Sequence, residues 1–496
     1  MTSSGNRLEA FSRPGRRSVS ARQETASGQR NRFTTALLML YVFLAPFGNL
    51  TRFGTKEDAY GVTTVIFLLA IAVNIGSIID TVRKTPIFSS FVILVLWMGM
   101  ATLFAEDVRA GYLRLAGLAA YPLFACVAFN VNWTRVSVRR LLICFLLGSF
   151  LSSMLTLVDW FGLLHIPGVN EVEAGTDVGA GAIAQASGPF ARRTAMADFY
   201  GLFIPIGVMM FFSRPLPLIT DRVSGLIASL MCAICLVLTH NRAGIVGAVI
   251  AILIIGILIS RSPVKLLSNV LFASALFGAF YWLLTTFFSD QWLVYQATLG
   301  FSGFAKSEVV MESDNIRSEL FQFVMKSLTV NPIGHGYTVI TGLSEHPDAD
   351  PHNNITQIIW GAGVFGLGWL AWFALRLLRQ AMVFFGSRFR DDERVLWGSF
   401  IICSLFSYFC CGMMHTTIGT GIAWLLFGVV LKIMTGVSED EKTGTADRPR
   451  SGMRRKPGRI LSRRGALQAE SPAADSLGSS GPVLQGGQCV ALRKSQ

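Results

Sequence analysis

Histidine is the side chain best suited to move a proton near neutral pH, and the chain contains six of them. Two of these, His346 and His352, flank a short acidic stretch that reads HPDADPH. Carboxylates and imidazoles at this density can hold a divalent metal, but two prolines and the lack of a further ligand nearby favour a solvated turn without metal. His352 stands directly before a long apolar run, where a helix end would hold it rigidly, as a general base requires. The sequence predicts His352 as a proton acceptor, with an ordinary loop histidine as the alternative.

A second group of candidates consists of arginines that stand where polar loops meet apolar runs, namely Arg192, Arg193, Arg242 and Arg317. A charged side chain at membrane depth is costly and usually faces a cavity, a partner or a ligand. A guanidinium keeps its charge and can donate two parallel hydrogen bonds to phosphate oxygens, so several converging arginines suit a pyrophosphate. For any single arginine, snorkelling to the interface or a salt bridge to Asp159 or Asp198 is an equal alternative.

The elements that position these residues must cross a membrane. Of the 496 residues, 52% are hydrophobic and 15% are charged, against roughly 25% charged in an average soluble domain. The apolar residues gather into runs near the roughly 20 residues that a helix needs to span a bilayer. These runs predict transmembrane helices near 34–50, 62–79, 87–104, 111–129, 141–163, 197–213, 223–239, 243–260, 266–287, 355–375, 395–411 and 418–435. We therefore expect an all-α, polytopic membrane protein of about twelve transmembrane helices, with ten or eleven as alternatives, and not an ordinary soluble enzyme.

The basic residues indicate the orientation, because lysine and arginine are retained on the cytoplasmic side of the membrane. With the amino terminus in the cytoplasm, most of the 43 basic residues fall on that side. Both termini are then cytoplasmic, with a basic tail at 1–33, a transmembrane bundle at 34–436 and a disordered basic tail at 437–496. The net charge of +13 therefore reflects topology. Nucleic acid is not an expected partner, whereas membrane lipid is.

Two predicted outward segments, 165–196 and 289–354, are too long for plain turns and are expected to carry the function. All six histidines fall in predicted outward segments. The sequence thus predicts that the chemistry takes place on the outer side of the membrane.

The larger outward segment contains a predicted helix at 313–329, which would lie on the membrane surface or cap the bundle. Its apolar face is formed by Ile316, Leu320, Phe323, Val324 and Leu328. Asp314 is the predicted N-cap and Asn331-Pro332 the end of the helix. This arrangement places Arg317 in the first turn.

Three stretches carry a resemblance to a known family: LTHNRAGIVGAV (238–249), IRSELFQFVMKSLTVNPIGHGY (316–337) and HNNITQIIWGAGVFGLGWL (352–370). In this order they resemble the bacterial O-antigen ligase and O-antigen polymerase family. Its members have an arginine turn between two spans, an arginine-initiated helix that ends in a Pro-hydrophobe-Gly-x-Gly turn, and a His-Asn pair before a Gly-x-x-Gly segment. The matching positions here are Arg242, Arg317, Pro332, Gly334, Gly336, His352, Asn353, Gly363 and Gly366.

An earlier stretch, 187–208, is similar to the Gly-x-Phe segment that leads into a span in the same family. Two positions depart from the family pattern. Asn241 stands where serine is usual, and Arg192-Arg193 replace a small residue and an asparagine.

The resemblance implies transfer of a glycan from an undecaprenyl-pyrophosphate carrier to an acceptor hydroxyl at the periplasmic face of the inner membrane. Arg242 and Arg317, with Arg193, would stabilise the negative charge that develops on the departing pyrophosphate. His352 would remove the proton from the attacking hydroxyl. No cofactor and no metal would be needed.

The same resemblance gives supporting roles to Asn353 and to the turn that contains Gly334, Gly336 and Tyr337, whose glycines permit backbone conformations closed to other residues. The donor would be an undecaprenyl-pyrophosphate-linked glycan. The acceptor would be lipid A-core for a ligase or a growing polysaccharide for an O-antigen or exopolysaccharide polymerase. The His-Asn pair after one long loop favours the ligase.

A twelve-helix transporter is an alternative from a different functional class. The segment from Gly76 to Lys84 partly matches the major facilitator motif, but Thr81 and Arg83 stand where that motif requires a basic residue and a glycine. The two halves of the chain also lack the likeness expected of repeats. A non-catalytic partner in a polysaccharide export assembly is a third alternative.

Overall fold

Long apolar runs between polar turns fold into helices in the computed structural model of the chain. The structure describes residues 15–53, 60–170, 186–190, 192–212, 219–239, 241–259, 308–338, 340, 353–385, 393–412 and 421–444, with isolated positions between 264 and 275. The chain forms two compact units, Met1–Ala446 and Asp447–Gln496, and all described residues belong to the first.

The helices and strands follow one another as α1 (Gly15–Leu44), a 3-10 turn (Ala45–Phe47), β1 (Arg52–Phe53), β2 (Tyr60–Gly61), α2 (Val62–Val73), α3 (Ile75–Lys84), α4 (Pro86–Thr102), α5 (Val108–Asn130), α6 (Arg135–Trp160), α7 (Arg193–Phe212), α8 (Ile219–Leu238), α9 (Arg242–Ile259), α10 (Glu308–Val330), α11 (Asn354–Phe385), α12 (Glu393–Gly412) and α13 (Gly421–Gly444). The two short strands pair antiparallel. The fold is therefore helical, as the sequence predicts.

Helix caps set the starts of several helices. Asp107 accepts a hydrogen bond from the Ala110 amide before α5, and Thr134 and Ser137 form a capping box before α6. Pro86 is the first residue of α4, where its missing N–H costs nothing.

Each predicted span except 266–287 coincides with a helix, and 266–287 lies almost entirely outside the described residues. Within the described ranges, four helices are long and apolar enough to cross a membrane: Val108–Asn130, Val136–Trp160, Thr194–Phe211 and Asn354–Phe385. The pair α2 and α3 raises this to five if it counts as one span. Shorter apolar helices account for other predicted spans, so the number twelve stays a prediction.

The predicted span at 62–79 is broken into two helices, because α2 and α3 are bent by 70° at Asn74. The Asn74 side-chain amide donates to the Ala70 carbonyl and to the Thr34 hydroxyl of α1. Asn74 itself is buried and has non-helical backbone angles, φ −109° and ψ 11°. A buried polar side chain that bonds to its own preceding turn and to a neighbouring helix therefore holds the break.

The predicted tails also differ from the structure where it describes them. Helix α1 begins at Gly15, inside the predicted polar tail, and ends at Leu44 before Pro46. Helix α13 continues to Gly444, so residues 437–444 are helical and not disordered. The rest of the predicted disordered tail lies outside the described residues.

Polar contacts tie the helix ends together at both ends of the bundle. At one end, the Asn49 amide donates to Pro189 and the Ala186 amide to Leu238, which joins the loops after α1, before α7 and after α8. At the other end, Thr81 donates to Asn130, so α3 is fixed to the end of α5. Successive helices therefore end at opposite sides of the bundle, as they do in an antiparallel bundle.

Candidate functional site

The turn at 331–338 docks against a break in α11. Gly363 has φ +61° and ψ −141°, which divides α11 into two helical segments. The backbone amides of His335 and Gly336 donate to the carbonyls of Trp360 and Gly361 at 2.8 and 3.1 Å, and the Val364 amide donates to the Pro332 carbonyl at 2.9 Å. The turn thus satisfies backbone groups that the break leaves without helical partners.

Three glycines make this close approach possible. Gly334 and Gly336 have φ of +98° and +74°, in the region that favours glycine. A Cβ on Gly334 would lie 2.6 Å from the Gly363 nitrogen, and one on Gly336 would overlap Thr102 of α4. The motif glycines are therefore required by both conformation and space.

Side chains from α4 hold the docked turn in place. The Trp97 indole N–H donates to the carbonyls of Ile333 and Ala362, each at 3.1 Å, so one donor bridges the turn and the break. The Tyr337 amide donates to the Thr102 hydroxyl at 3.3 Å. The Trp97 ring also stacks on Phe365, with ring centroids 4.8 Å apart.

His335 stacks on Trp360 with ring centroids 3.8 Å apart and an angle of 12° between the rings. Its Nε2 atom is buried, and no described residue forms a hydrogen bond with it. Burial lowers the pKa of His335 below its ordinary value, while the nearby carboxylate of Glu106 acts in the opposite direction. The neutral imidazole is therefore the form that fits the docked turn.

Helix α10 packs on the first segment of α11. Leu320 and Val324 are 2% and 0% exposed, in one cluster with Ile340, Ile359 and Trp360. Phe323 and Leu328 pack against that cluster, so four members of the predicted apolar face are confirmed. The helix thus rests on protein along this face.

The predicted start of this helix is wrong. It begins at Glu308, so Asp314 is an interior residue and no N-cap, and Arg317 lies about two and a half turns from the start. The end is as predicted, because α10 stops at Val330 and Asn331 follows.

The other two arginines begin helices whose ends lie side by side. Arg193 is the first residue of α7 and Arg242 the first residue of α9. A Cβ on Gly244 would lie 3.3 Å from the Ala197 carbonyl oxygen, which shows how closely the first turns of α9 and α7 approach. Asn241 accepts a hydrogen bond from the Gly244 amide and caps α9. The side chains of Arg193, Arg242 and Arg317 lie outside the described part of the structure.

Of the His-Asn pair, the structure describes only the second residue, Asn353. Asn353 caps α11, because its side-chain oxygen accepts a hydrogen bond from the Thr356 amide at 2.7 Å. His352 and the whole HPDADPH stretch lie outside the described residues. Among the residues that are described, no group of three His, Cys, Asp or Glu side chains could hold a metal.

The two carboxylates considered as arginine partners have different surroundings. Asp159 accepts hydrogen bonds from the Ile166 amide and from the Asn170 side chain, and the exposed His165 lies 3.3 Å away. It orders the loop after α6. Asp198 is buried on α7, at 5% exposure, and lines a cavity.

The described residues therefore place the candidates in two groups. Asn353, Gly334, Gly336 and Tyr337 lie around the first segment of α11, while Arg193 and Arg242 begin two adjacent helices. The structure adds three supporting residues to those predicted from the sequence: Trp97, Thr102 and His335. A sequence signal existed for His335 alone, which stands between the two glycines of the turn.

Apolar helices of spanning length define an integral membrane protein. Residues 227–373 match the family model described as O-antigen ligase. The matched range contains Arg242, Arg317, the docked turn, His352 and the break in α11, whereas Arg193 precedes it. This match indicates a glycosyltransferase-like enzyme in the inner membrane. No curated protein sequence matches the chain.

Proposed function

We propose that the protein transfers a glycan from an undecaprenyl-pyrophosphate carrier to an acceptor hydroxyl at the periplasmic face of the inner membrane, as an O-antigen ligase does. The observation that carries this proposal is the family match over 227–373. The docked turn and the break in α11 support it, because they fix the helix that begins just after His352.

In the proposed reaction, the acceptor oxygen bonds to the anomeric carbon while the bond from that carbon to the pyrophosphate oxygen breaks. The proton of the acceptor passes to neutral His352, and the electron pair leaves with undecaprenyl pyrophosphate. General-base catalysis of this kind contributes about 100- to 10,000-fold. Asn353 positions His352 through the cap of α11.

Arginine chemistry suits the leaving group. Arg242 and Arg317 would donate to the pyrophosphate oxygens as negative charge develops, and Arg193 would add a third positive charge from the start of α7. The adjacent amino-terminal ends of α7 and α9 also favour an anion. Guanidinium groups supply this stabilisation without a metal ion.

The test uses a strain that lacks this gene, complemented with wild type, His352→Ala or His346→Ala. His346 is the matched control, because it is a histidine of the same HPDADPH stretch. We expect His352→Ala to lower transfer by about 100-fold or more and His346→Ala to leave it unchanged, with equal protein levels. Full rescue by His352→Ala would contradict the role of that residue.

Gel analysis of surface glycan and lipid-linked intermediates in these strains separates the ligase from a polymerase, the second candidate with the same donor chemistry. Bare lipid A-core, with long glycan left on the lipid carrier, is the ligase result. Single repeats on the core, or lost exopolysaccharide with lipid-linked repeats accumulating, is the polymerase result. Nothing in the described part of the structure favours the transporter.

A further inference from the structure

Residues 186–190 connect the starts of two helices that begin with arginine. All five are buried, and the segment ends three residues before Arg193, the first residue of α7. At its other end, the Ala186 amide donates to the Leu238 carbonyl at 3.1 Å. Leu238 stands four residues before Arg242, the first residue of α9. A contact that fixes this buried segment therefore also fixes the starts of α7 and α9.

Asn170, in the loop after α6, holds the buried segment with a pair of hydrogen bonds. Its backbone amide donates to the Gly188 carbonyl at 3.0 Å, and its side-chain oxygen accepts a hydrogen bond from the Gly188 amide at 2.8 Å. Gly188 has φ +58°, and a Cβ there would lie 2.5 Å from the Thr156 hydroxyl oxygen. The segment thus passes too close to α6 for a side chain at this position.

The side-chain amide of Asn170 anchors this pair of hydrogen bonds to α6. Its Nδ2 atom donates to the Thr156 carbonyl and to the Asp159 carboxylate, each at 3.0 Å. The side chain therefore uses its oxygen and both of its N–H donors. The Asp159 carboxylate is itself held by the Ile166 amide at 2.9 Å. Asn170 is thus the link between α6 and the segment that leads into α7.

The backbone of Asn170 is also unusual. Its φ is +50°, and no other non-glycine residue in the described ranges has a positive φ. Asparagine tolerates this region better than most residues, but such a conformation persists only where the surrounding structure enforces it. Backbone outliers of this kind cluster at functional sites. Here the enforcing contacts are the hydrogen bonds to Gly188, Thr156 and Asp159.

We propose that Asn170 is a positioning residue for glycan transfer. It does not touch the glycan or its carrier, but it fixes residues 186–190 and through them the starts of α7 and α9. Arg193 and Arg242 would bind the pyrophosphate there, so this role rests on the proposed function. Misplacement of a catalytic group by about 1 Å can cost about 100-fold in rate, so a loosened link lowers turnover.

Two variants of Asn170 separate its side chain from its backbone. Asn170→Gly keeps the positive φ and removes the side-chain hydrogen bonds. Asn170→Asp keeps the shape and the acceptor for Gly188, but it loses both donors and places a second carboxyl group beside Asp159. Repulsion between the two carboxylates raises the pKa of the introduced carboxyl, and its protonated form regains one donor. Activity of this variant should therefore recover as the pH falls.

The experiment measures transfer by the purified full-length protein in detergent, with lipid-linked glycan and core lipopolysaccharide isolated from the strain that lacks the gene. This mixture contains the acceptors of both a ligase and a polymerase. Activities are expressed relative to wild type at each pH, because His352 and the exposed His165, which lies 3.3 Å from Asp159, are present in every variant. Asn132→Asp is the matched control, because Asn132 is an exposed asparagine in the turn between α5 and α6. Melting temperature checks that each variant is folded.

At about pH 7.5 we expect Asn170→Gly and Asn170→Asp to lower kcat about tenfold, and Asn132→Asp to leave it unchanged. Towards about pH 5 the relative activity of Asn170→Asp should rise several-fold, whereas that of Asn170→Gly should stay low. Because kcat is measured per folded protein, loss of stability alone would leave it unchanged.

Two results would overturn the role of Asn170: folded variants as active as wild type, or a relative activity of Asn170→Asp that stays flat with pH. Absence of transfer by wild type in this assay would instead refute the proposed function, and the role of Asn170 with it.

Discussion

At Gly363 the chain needs a residue without a side chain. Its φ of +61° favours glycine, and a Cβ there would overlap the Pro332 carbonyl oxygen of the docked turn. Gly363→Ala should therefore cost at least the roughly 1–3 kcal/mol of a strained backbone position, and should reduce glycan transfer because the turn no longer docks.

Thermal unfolding of the purified protein and complementation of the deletion strain measure both effects. Gly368→Ala in the same helix is the control, because its Cβ would meet open space. A Gly363→Ala protein as stable and active as the control would show that the break is not required.

His335 gives the docked turn a dependence on pH. Burial lowers its pKa in the folded protein, so below the ordinary value of about 6.5 the unfolded chain binds a proton that the folded chain resists. The stabilisation is fully present above about pH 6.5 and is lost as the pH falls through the lowered folded pKa. His335→Phe keeps an aromatic ring against Trp360 but cannot be protonated.

We therefore expect the melting temperature of wild type to fall more steeply than that of His335→Phe between about pH 6.5 and pH 5. Thermal unfolding in one detergent across this range is the measurement. Parallel curves for the two proteins would refute the assignment of this pH dependence to His335.

The sequence predicted the motif glycines but could not predict their partners. Gly334, Gly336 and Gly363 are recognisable because few other residues adopt their backbone angles. Trp97 and Thr102, by contrast, stand more than two hundred residues earlier on α4, and no local spacing signals a hydrogen bond to a distant carbonyl. Contacts between remote segments are determined by packing and not by local pattern.

Among the helices, α4 holds the docked turn against the break in α11. The Trp97 indole N–H is the donor for one carbonyl of the turn and one of the break. Trp97→Phe keeps ring stacking on Phe365 but removes the donor, so we expect a loss of about 1–3 kcal/mol in stability and reduced transfer.

Trp372→Phe is the matched control for the Trp97 variant. Trp372 also lies on an apolar helix, α11, but it is 39% exposed. The comparison uses unfolding in detergent and complementation in cells. If both variants lose the same stability, the loss is due to tryptophan removal in general and not to the hydrogen bonds of Trp97.

Periodicity predicted the existence of elements better than their limits. The apolar face of α10 was clear, yet its start was missed because Asp314 has the chemistry of a cap while Val309, seven residues before Ile316, continues the apolar pattern upstream. The break at Asn74 was missed because the run at 62–79 is apolar almost throughout. The bend depends on a hydrogen bond to Thr34 of another helix.

In the whole molecule, the distribution of basic residues and the contacts between helix ends indicate the same orientation in the membrane. Arg83 and Lys84 end α3, at the end of the bundle where Thr81 bonds to Asn130. The loops around Pro189 and Leu238 meet at the other end, near the starts of α7 and α9. The positive-inside rule then predicts that the first end lies in the cytoplasm and the candidate site in the periplasm.

Cysteine labelling in spheroplasts tests this orientation directly. Ala180→Cys lies in the predicted outward segment 165–196, and Arg140→Cys lies on the exposed surface of the first turns of α6. In a Cys489→Ser background, a membrane-impermeant maleimide should label the first variant in intact spheroplasts and the second only after permeabilisation. A fluorescent protein fused to the carboxyl terminus should fluoresce, because that terminus is expected in the cytoplasm. The reverse labelling pattern would place the docked turn on the cytoplasmic side, where a periplasmic glycan donor could not reach it, and would overturn the proposed reaction together with the topology.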